Sequence, residues 1–201
     1  MGNDLTEVEG PADTRPPLYK EILYTESEVD ARIAVMAADI TTMYRGTDTV
    51  FVSLLNGALP FAAKLMQAIQ SHDQYFHPNV QCMIVSRYGP NREPGQPRII
   101  TDLPPNYREL TGRHIVLLDD LVDGGGTGDC AERHLYGYGA QDVERIVLVK
   151  KRKNPPIETK IAMFGFEVPD VWLTGMGMDD AHTGPEANRW AGWIAVASSG
   201  R

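Results

Sequence analysis

The densest chemistry in the chain lies in the segment IVLLDDLVDGGGTG, residues 115–128. An apolar run ends, the carboxylates Asp119, Asp120 and Asp123 follow, and Gly124, Gly125, Gly126 and Thr127 stand at the mouth of a helical stretch. Beyond the carboxyl end of a parallel strand, a glycine loop lets backbone N–H groups close on a phosphate, helped by the helix dipole. The carboxylates repel that phosphate, so beside it they must handle sugar hydroxyls, a Mg²⁺ ion or a proton. A phosphorylated sugar needs all three.

Other motifs fail on position. A P-loop requires a lysine before its Ser/Thr, and no lysine precedes Thr127. An EF-hand starting at Asp119 would place Leu121 third and Cys130 twelfth, neither able to offer a carboxylate. Gly126-x-Gly128-x-x-Ala131 matches a loose dinucleotide fingerprint, and Lys150, Lys151 and Arg152 could suit a 2′-phosphate, so an NADP-dependent oxidoreductase stays open as a rival. That fingerprint starts eight residues after Leu118 with three acids between, where its first glycine should follow the strand closely. A merely solvated acidic loop is the bland reading. Five histidines lack zinc-ligand spacing, and Cys82 and Cys130 form neither a C-x-x-C pair nor a disulfide framework, which fits a reducing cytoplasm.

The elements that must hold this segment are legible as alternating strands and helices. Residues 50–55, 80–86, 114–119 and 143–149 are apolar runs of strand length. Ser27-Glu28-Val29-Asp30 resembles a capping box, and Val29, Ile33, Met36, Ile40 and Met43 recur at helical spacing to about Tyr44, with Gly46 as the stop. A second helix follows Asn56-Gly57, and a third starts near Thr127. Apolar runs alternating with helices predict an α/β fold with a parallel sheet covered on both faces. Residues 87–98 show no periodicity and read as a long loop of the kind that forms lids. Short strands are expected at 161–166, 171–175 and 193–197, and residues 1–17, acidic and proline-bearing, as a solvated tail.

The chain has 201 residues with 19 Lys and Arg against 27 Asp and Glu, a net charge of −8. That acidity excludes a protein built to hold a nucleic-acid polymer. No stretch approaches the ~18 apolar residues of a membrane span, and the N-terminal stretch lacks the apolar run of a signal peptide.

The 115–128 segment resembles the phosphoribosyl diphosphate (PRPP) signature of the type I phosphoribosyltransferases. Leu55-Asn56-Gly57, Ser86-Arg87-Tyr88, Lys150 and GFEVPDVWLTGMGMDD at 165–180 narrow the resemblance to the 6-oxopurine branch, over about residues 22–197. It implies a five-stranded parallel core sheet in a domain spanning 18–201, with a small hood from about 18–26 and 165–197. The implied activity is purine salvage, moving the 5-phosphoribosyl group of PRPP to N9 of hypoxanthine or guanine with Mg²⁺. A homodimer or homotetramer is implied as well. A non-catalytic PRPP or nucleotide sensor with the same fold is the other alternative.

The resemblance also implies the roles. Asp119 and Asp120 engage the ribose hydroxyls directly or through Mg²⁺, and residues 124–127 hold the 5′-phosphate. Asp123 exchanges a proton with purine N7, although taken alone it reads as a helix N-cap. Leu55, Asn56 and Gly57 form the pyrophosphate loop, in which a cis peptide is usual, and Arg189 contacts the same group. Many relatives carry lysine at the position of Asn56, which alone would be a turn residue. Lys150 donates to the purine 6-oxo group, Trp172 stacks on the base, Leu173 offers its backbone to the ring edge, and Asp179 faces the 2-position and Mg²⁺. Arg87 and Tyr88 open the lid.

Overall fold

The structure, a computed structural model, describes residues 19–88, 94–156, 158–179 and 187–198. The acidic tail, the tip of the expected lid at 89–93 and residues 180–186 lie outside them. In chain order the elements are β1 (Tyr19–Tyr24), α1 (Glu26–Tyr44), β2 (Thr49–Leu55), α2 (Leu59–His72), β3 (Asn79–Tyr88) and β4 (Pro94–Thr101). Then follow β5 (His114–Val122), α3 (Gly126–Gly137), β6 (Asp142–Arg152), β7 (Met163–Pro169), β8 (Leu173–Thr174) and β9 (Ile194–Ala197).

Six strands form the main sheet in the order β4-β3-β2-β5-β6-β7. All neighbours pair in parallel except β3 with β4, so the five expected parallel strands gain an antiparallel edge. The apolar runs are continuous because both faces are covered. Phe51, Val116, Leu118, Ile146 and Leu148 point into one core with α1 and α2 residues such as Ile33, Met36, Phe61 and Leu65. Val50, Val52, Ile115 and Leu117 point the other way, to Ala131 and Leu135 of α3. A second, antiparallel sheet, β1-β9-β8, joins the two ends of the described chain. Among the described residues, no helix is long and apolar enough to cross a membrane.

Two local expectations change. The capping box of α1 is Thr25 with Glu28, not Ser27 with Asp30: Thr25 N–H donates to Glu28 Oε2 at 2.8 Å, and Glu28 N–H donates to Thr25 Oγ1 at 3.4 Å. Both pairs fit the same four-residue pattern, and the helix begins at the earlier one. Of the stretch 87–98, the described residues 87–88 and 94–98 are strand, paired antiparallel with Ser86 opposite Arg98 and Tyr88 opposite Pro94. Its strand pattern is hidden because Pro94 and Pro97 sit on an edge strand, which needs no N–H on its outer side.

Candidate active site

Sheet order decides where a ligand can sit. From β2 the chain moves outward to β3 on one side, while β5, β6 and β7 build out on the other. Helices therefore leave β2 and β5 toward opposite faces, and a crevice opens beyond their carboxyl ends. A cavity of about 310 Å³ occupies this crevice, walled by Leu54–Gly57 at the end of β2, by Asp119, Asp120, Leu121, Asp123 and Thr127 at the end of β5 and the start of α3, and by Trp172, Leu173, Asp179 and Arg189.

Asp119 and Asp120 occupy the floor. Burial pushes the Asp119 carboxyl well above the usual carboxylate range, and the neighbouring Asp120 charge adds to the rise. Asp120 is raised too, by burial and by Asp179 across the cavity. Crowded oxygen donors that resist ionisation are relieved by a hard divalent cation, so this donor set fits Mg²⁺.

The glycine loop follows. Gly125 is the N-cap of α3 and, lacking a side chain, makes no side-chain cap bond. A Cβ there would lie 2.0 Å from Thr159 Oγ1. Asp123 is thus not the helix cap, and the first amides of α3 remain for an anion. Arg145, a buried residue of β6, braces this helix through Asp129 at 2.7 Å and through Glu132.

Asp123 faces the cavity from the other side of that loop. Partial burial raises its pKa, but the Lys153 hydrogen bond and the charges of Lys151 and Lys153 outweigh it, holding the carboxyl below the usual range. It is a carboxylate at neutral pH, suited to accept a proton.

The opposite wall rests on a close backbone approach. The Leu55-Asn56 peptide is cis. A Cβ on Gly57 would stand 2.6 Å from Asp120 Oδ2, and one on Gly177 would stand 1.7 Å from the Gly57 carbonyl oxygen. Gly177 also has φ +98°. Arg189 clamps the same turn: its Nη1 donates to the Gly177 carbonyl at 2.8 Å, and its Nη2 lies 3.1 Å from Asp179 Oδ2. Gly177→Ala should therefore cost about 2 kcal/mol or more and lower Tm by several degrees, combining left-handed strain with overpacking. Gly46→Ala is the control, because Gly46 has φ +81° but nothing within 4 Å. Equal Tm losses in the two variants would remove the contact from the argument.

One expected residue is displaced. Lys150 lies outside the cavity lining: its Nζ is 3.0 Å from Glu167 Oε1 and 5.1 Å from the centroid of Phe164. Side chains alternate across a strand, so it is the next residue, Lys151, that enters the cavity. Lys151 is buried, 3.3 Å from Asp123 Oδ1 and 5.8 Å from the centroid of Trp172. Trp172 itself remains 37% exposed. Gly124 lines an adjoining cleft beside Asp123 and Lys153. Arg87 is an exposed residue next to the end of β3, and Tyr88 is its last residue.

Sequence reasoning placed Lys151 only in the rival dinucleotide reading and gave no role to Lys153, Asp170 or Gly177. Period-two alternation puts Lys151 on the face of Val147 and Val149 and Lys150 on that of Ile146 and Leu148, but all four are buried, so the sequence does not say which face meets the cavity. The others are defined by contacts between distant segments. The loose dinucleotide fingerprint falls inside α3, with Gly128 packed on Arg145, and not at a strand-to-helix turn.

A family profile described as a phosphoribosyl transferase domain matches residues 20–181. Hypoxanthine-guanine phosphoribosyltransferase of Bacillus subtilis is 30% identical over 163 residues, 81% of this chain and 86% of that protein. The enzyme of that name from Mycobacterium tuberculosis H37Rv is 30% identical over 175 residues, 84% of this chain and 83% of that protein. Among solved structures, a hypoxanthine phosphoribosyltransferase from Staphylococcus aureus superposes with a TM-score of 0.75 at 23% identity, covering 90% of this chain and 92% of that one. The Trypanosoma cruzi enzyme, solved with its product IMP, gives a TM-score of 0.75 at 24% identity, covering 91% and 96%.

Proposed function

The chain belongs to the phosphoribosyl transferase family, and from that premise we propose that it transfers the 5-phosphoribosyl group of PRPP to N9 of hypoxanthine or guanine. It is an enzyme of purine salvage. The observation that carries the finer reading is one cavity in which the carboxylates at the end of β5 and the loop after β2 meet Lys151 and Trp172. The oxidoreductase and sensor readings gain no support.

The α3 amides and Thr127 hold the 5′-phosphate, and the Leu55–Gly57 loop with Arg189 receives the pyrophosphate. Trp172 covers one face of the base, the Leu173 backbone meets its edge, and Lys151 donates to the 6-oxo group. As purine N9 bonds to C1′, the bond from C1′ to pyrophosphate breaks, and the N7 proton passes to Asp123. Asp119, Asp120 and Asp179 would hold Mg²⁺, which when bound offsets the charge of PRPP and of the leaving group. Most of the catalysis is positioning and charge stabilisation. The β1-β9-β8 sheet acts as the hood over the base, and the β3–β4 hairpin, with Arg87 and Tyr88, as the lid. A cytoplasmic homodimer or homotetramer follows from the same resemblance.

The test is incubation with PRPP and each of hypoxanthine, guanine, xanthine and adenine, with and without Mg²⁺. Nucleotide should form with the 6-oxopurines and depend on the metal. No nucleotide from any base would overturn the reading.

A further inference from the structure

The end of β6 and the residue just after it carry four basic residues, Lys150, Lys151, Arg152 and Lys153, whose alternation sorts them into two pairs. Lys150 and Arg152 both reach Glu167, which lies opposite Lys150 in the ladder with β7. Lys151 and Lys153 point to the other side, where they meet Asp123 and Asp170. This second pair forms a closed set of two cations and two anions at the cavity mouth.

Within that set the two lysines are unequal. Lys153 Nζ lies 2.5 Å from Asp123 Oδ1 and 2.7 Å from Asp170 Oδ1. Lys151 Nζ lies at 3.3 and 3.7 Å from the same two oxygens. Lys153 therefore satisfies both acids more tightly, although it is the more exposed lysine and only Lys151 lines the main cavity. Both lysines also make their nearest approach to Asp123 at the same oxygen, Oδ1.

On the reading of the site given above, we propose that Lys153, braced by Asp170, is a positioning residue that fixes Asp123 by one oxygen, presents the other to the purine, and leaves Lys151 free for the 6-oxo group. Without Lys153, Lys151 is the one cation left between two carboxylates, and their pull draws it from the base. Geometry and charge act together here. Both lysines hold Asp123 ionised, and Asp123 and Asp170 hold Lys153 protonated. Lys20 of β1, Asp129 of α3 and Glu158 line the flanking clefts and complete the charged surroundings.

The test uses the full-length Lys153→Met, Lys153→Arg and Asp170→Asn variants. In Lys153→Met, the acid limb of the kcat/KM profile for hypoxanthine should move up by about one pH unit, as expected on losing a close opposite charge. At neutral pH, kcat/KM for the purine should fall roughly tenfold while KM for PRPP stays unchanged, a split that general destabilisation does not produce. Lys153→Arg should restore both, and Asp170→Asn should show a smaller loss of the same kind. A Lys153→Met enzyme with the parental limb and purine kcat/KM would overturn the proposal. Carboxyl ¹³C NMR, with Asp123→Asn for assignment, follows the Asp123 titration without turnover. If the parent protein makes no nucleotide, the reaction reading fails, while this titration still decides whether Lys153 controls Asp123: no shift in Lys153→Met refutes it.

Discussion

Asp123→Asn is expected to lower kcat by about 10² to 10⁴-fold while PRPP affinity remains close to that of the parent enzyme. Asparagine keeps the size of the side chain but cannot accept the N7 proton. On the proposed reading PRPP is held by other parts: the α3 amides, Thr127, the loop after β2 and Arg189, none of which depends on a charge at position 123. Side-chain exposure of 49% at Asp123 means that the substitution empties no core volume. Steady-state kinetics beside calorimetric titration of PRPP with Mg²⁺ separate the two quantities. Matching losses in kcat and PRPP affinity would place Asp123 in binding and not in proton transfer.

Lys151→Met should reduce kcat/KM for hypoxanthine and guanine by about 10 to 150-fold, the worth of one charge-assisted hydrogen bond. Methionine retains an apolar stem against Trp172, so the loss reports the ammonium group. Adenine offers a donor at the 6-position where the oxopurines offer an acceptor, and the variant should discriminate less between them. Lys150→Met should leave kcat/KM unchanged, because Lys150 is tied to Glu167 on the other face of β6. The reverse result, with Lys150 sensitive and Lys151 silent, would restore the assignment drawn from the resemblance alone.

That pair of lysines shows what a sequence can carry. The carboxylates and glycines at 119–127 were legible because one strand end and one helix start deliver them together, so sequence neighbours are also neighbours in space. The strands at 50–55, 114–119 and 143–149 were legible because burial on both faces leaves unbroken apolar runs. Lys150 and Lys151 differ by one position, yet one residue on a strand changes the face, and a motif match does not resolve that difference. β4 escaped notice because prolines on an edge strand imitate a loop. The hood came from the resemblance and not from periodicity, and the order of the strands was not legible in the sequence at all. Asp170 and Lys153 are 17 residues apart and ordinary in isolation; only the meeting of β6 with the turn after β7 makes them a pair.

The contact between Gly57 and Gly177 bears on how the protein can be re-engineered. Two segments 120 positions apart meet backbone to backbone, with no room for even a methyl group between them. They are not interchangeable parts. A chimera that imports the 55–57 loop from a relative must import that relative's 175–178 turn as well, since each is the mould in which the other is cast.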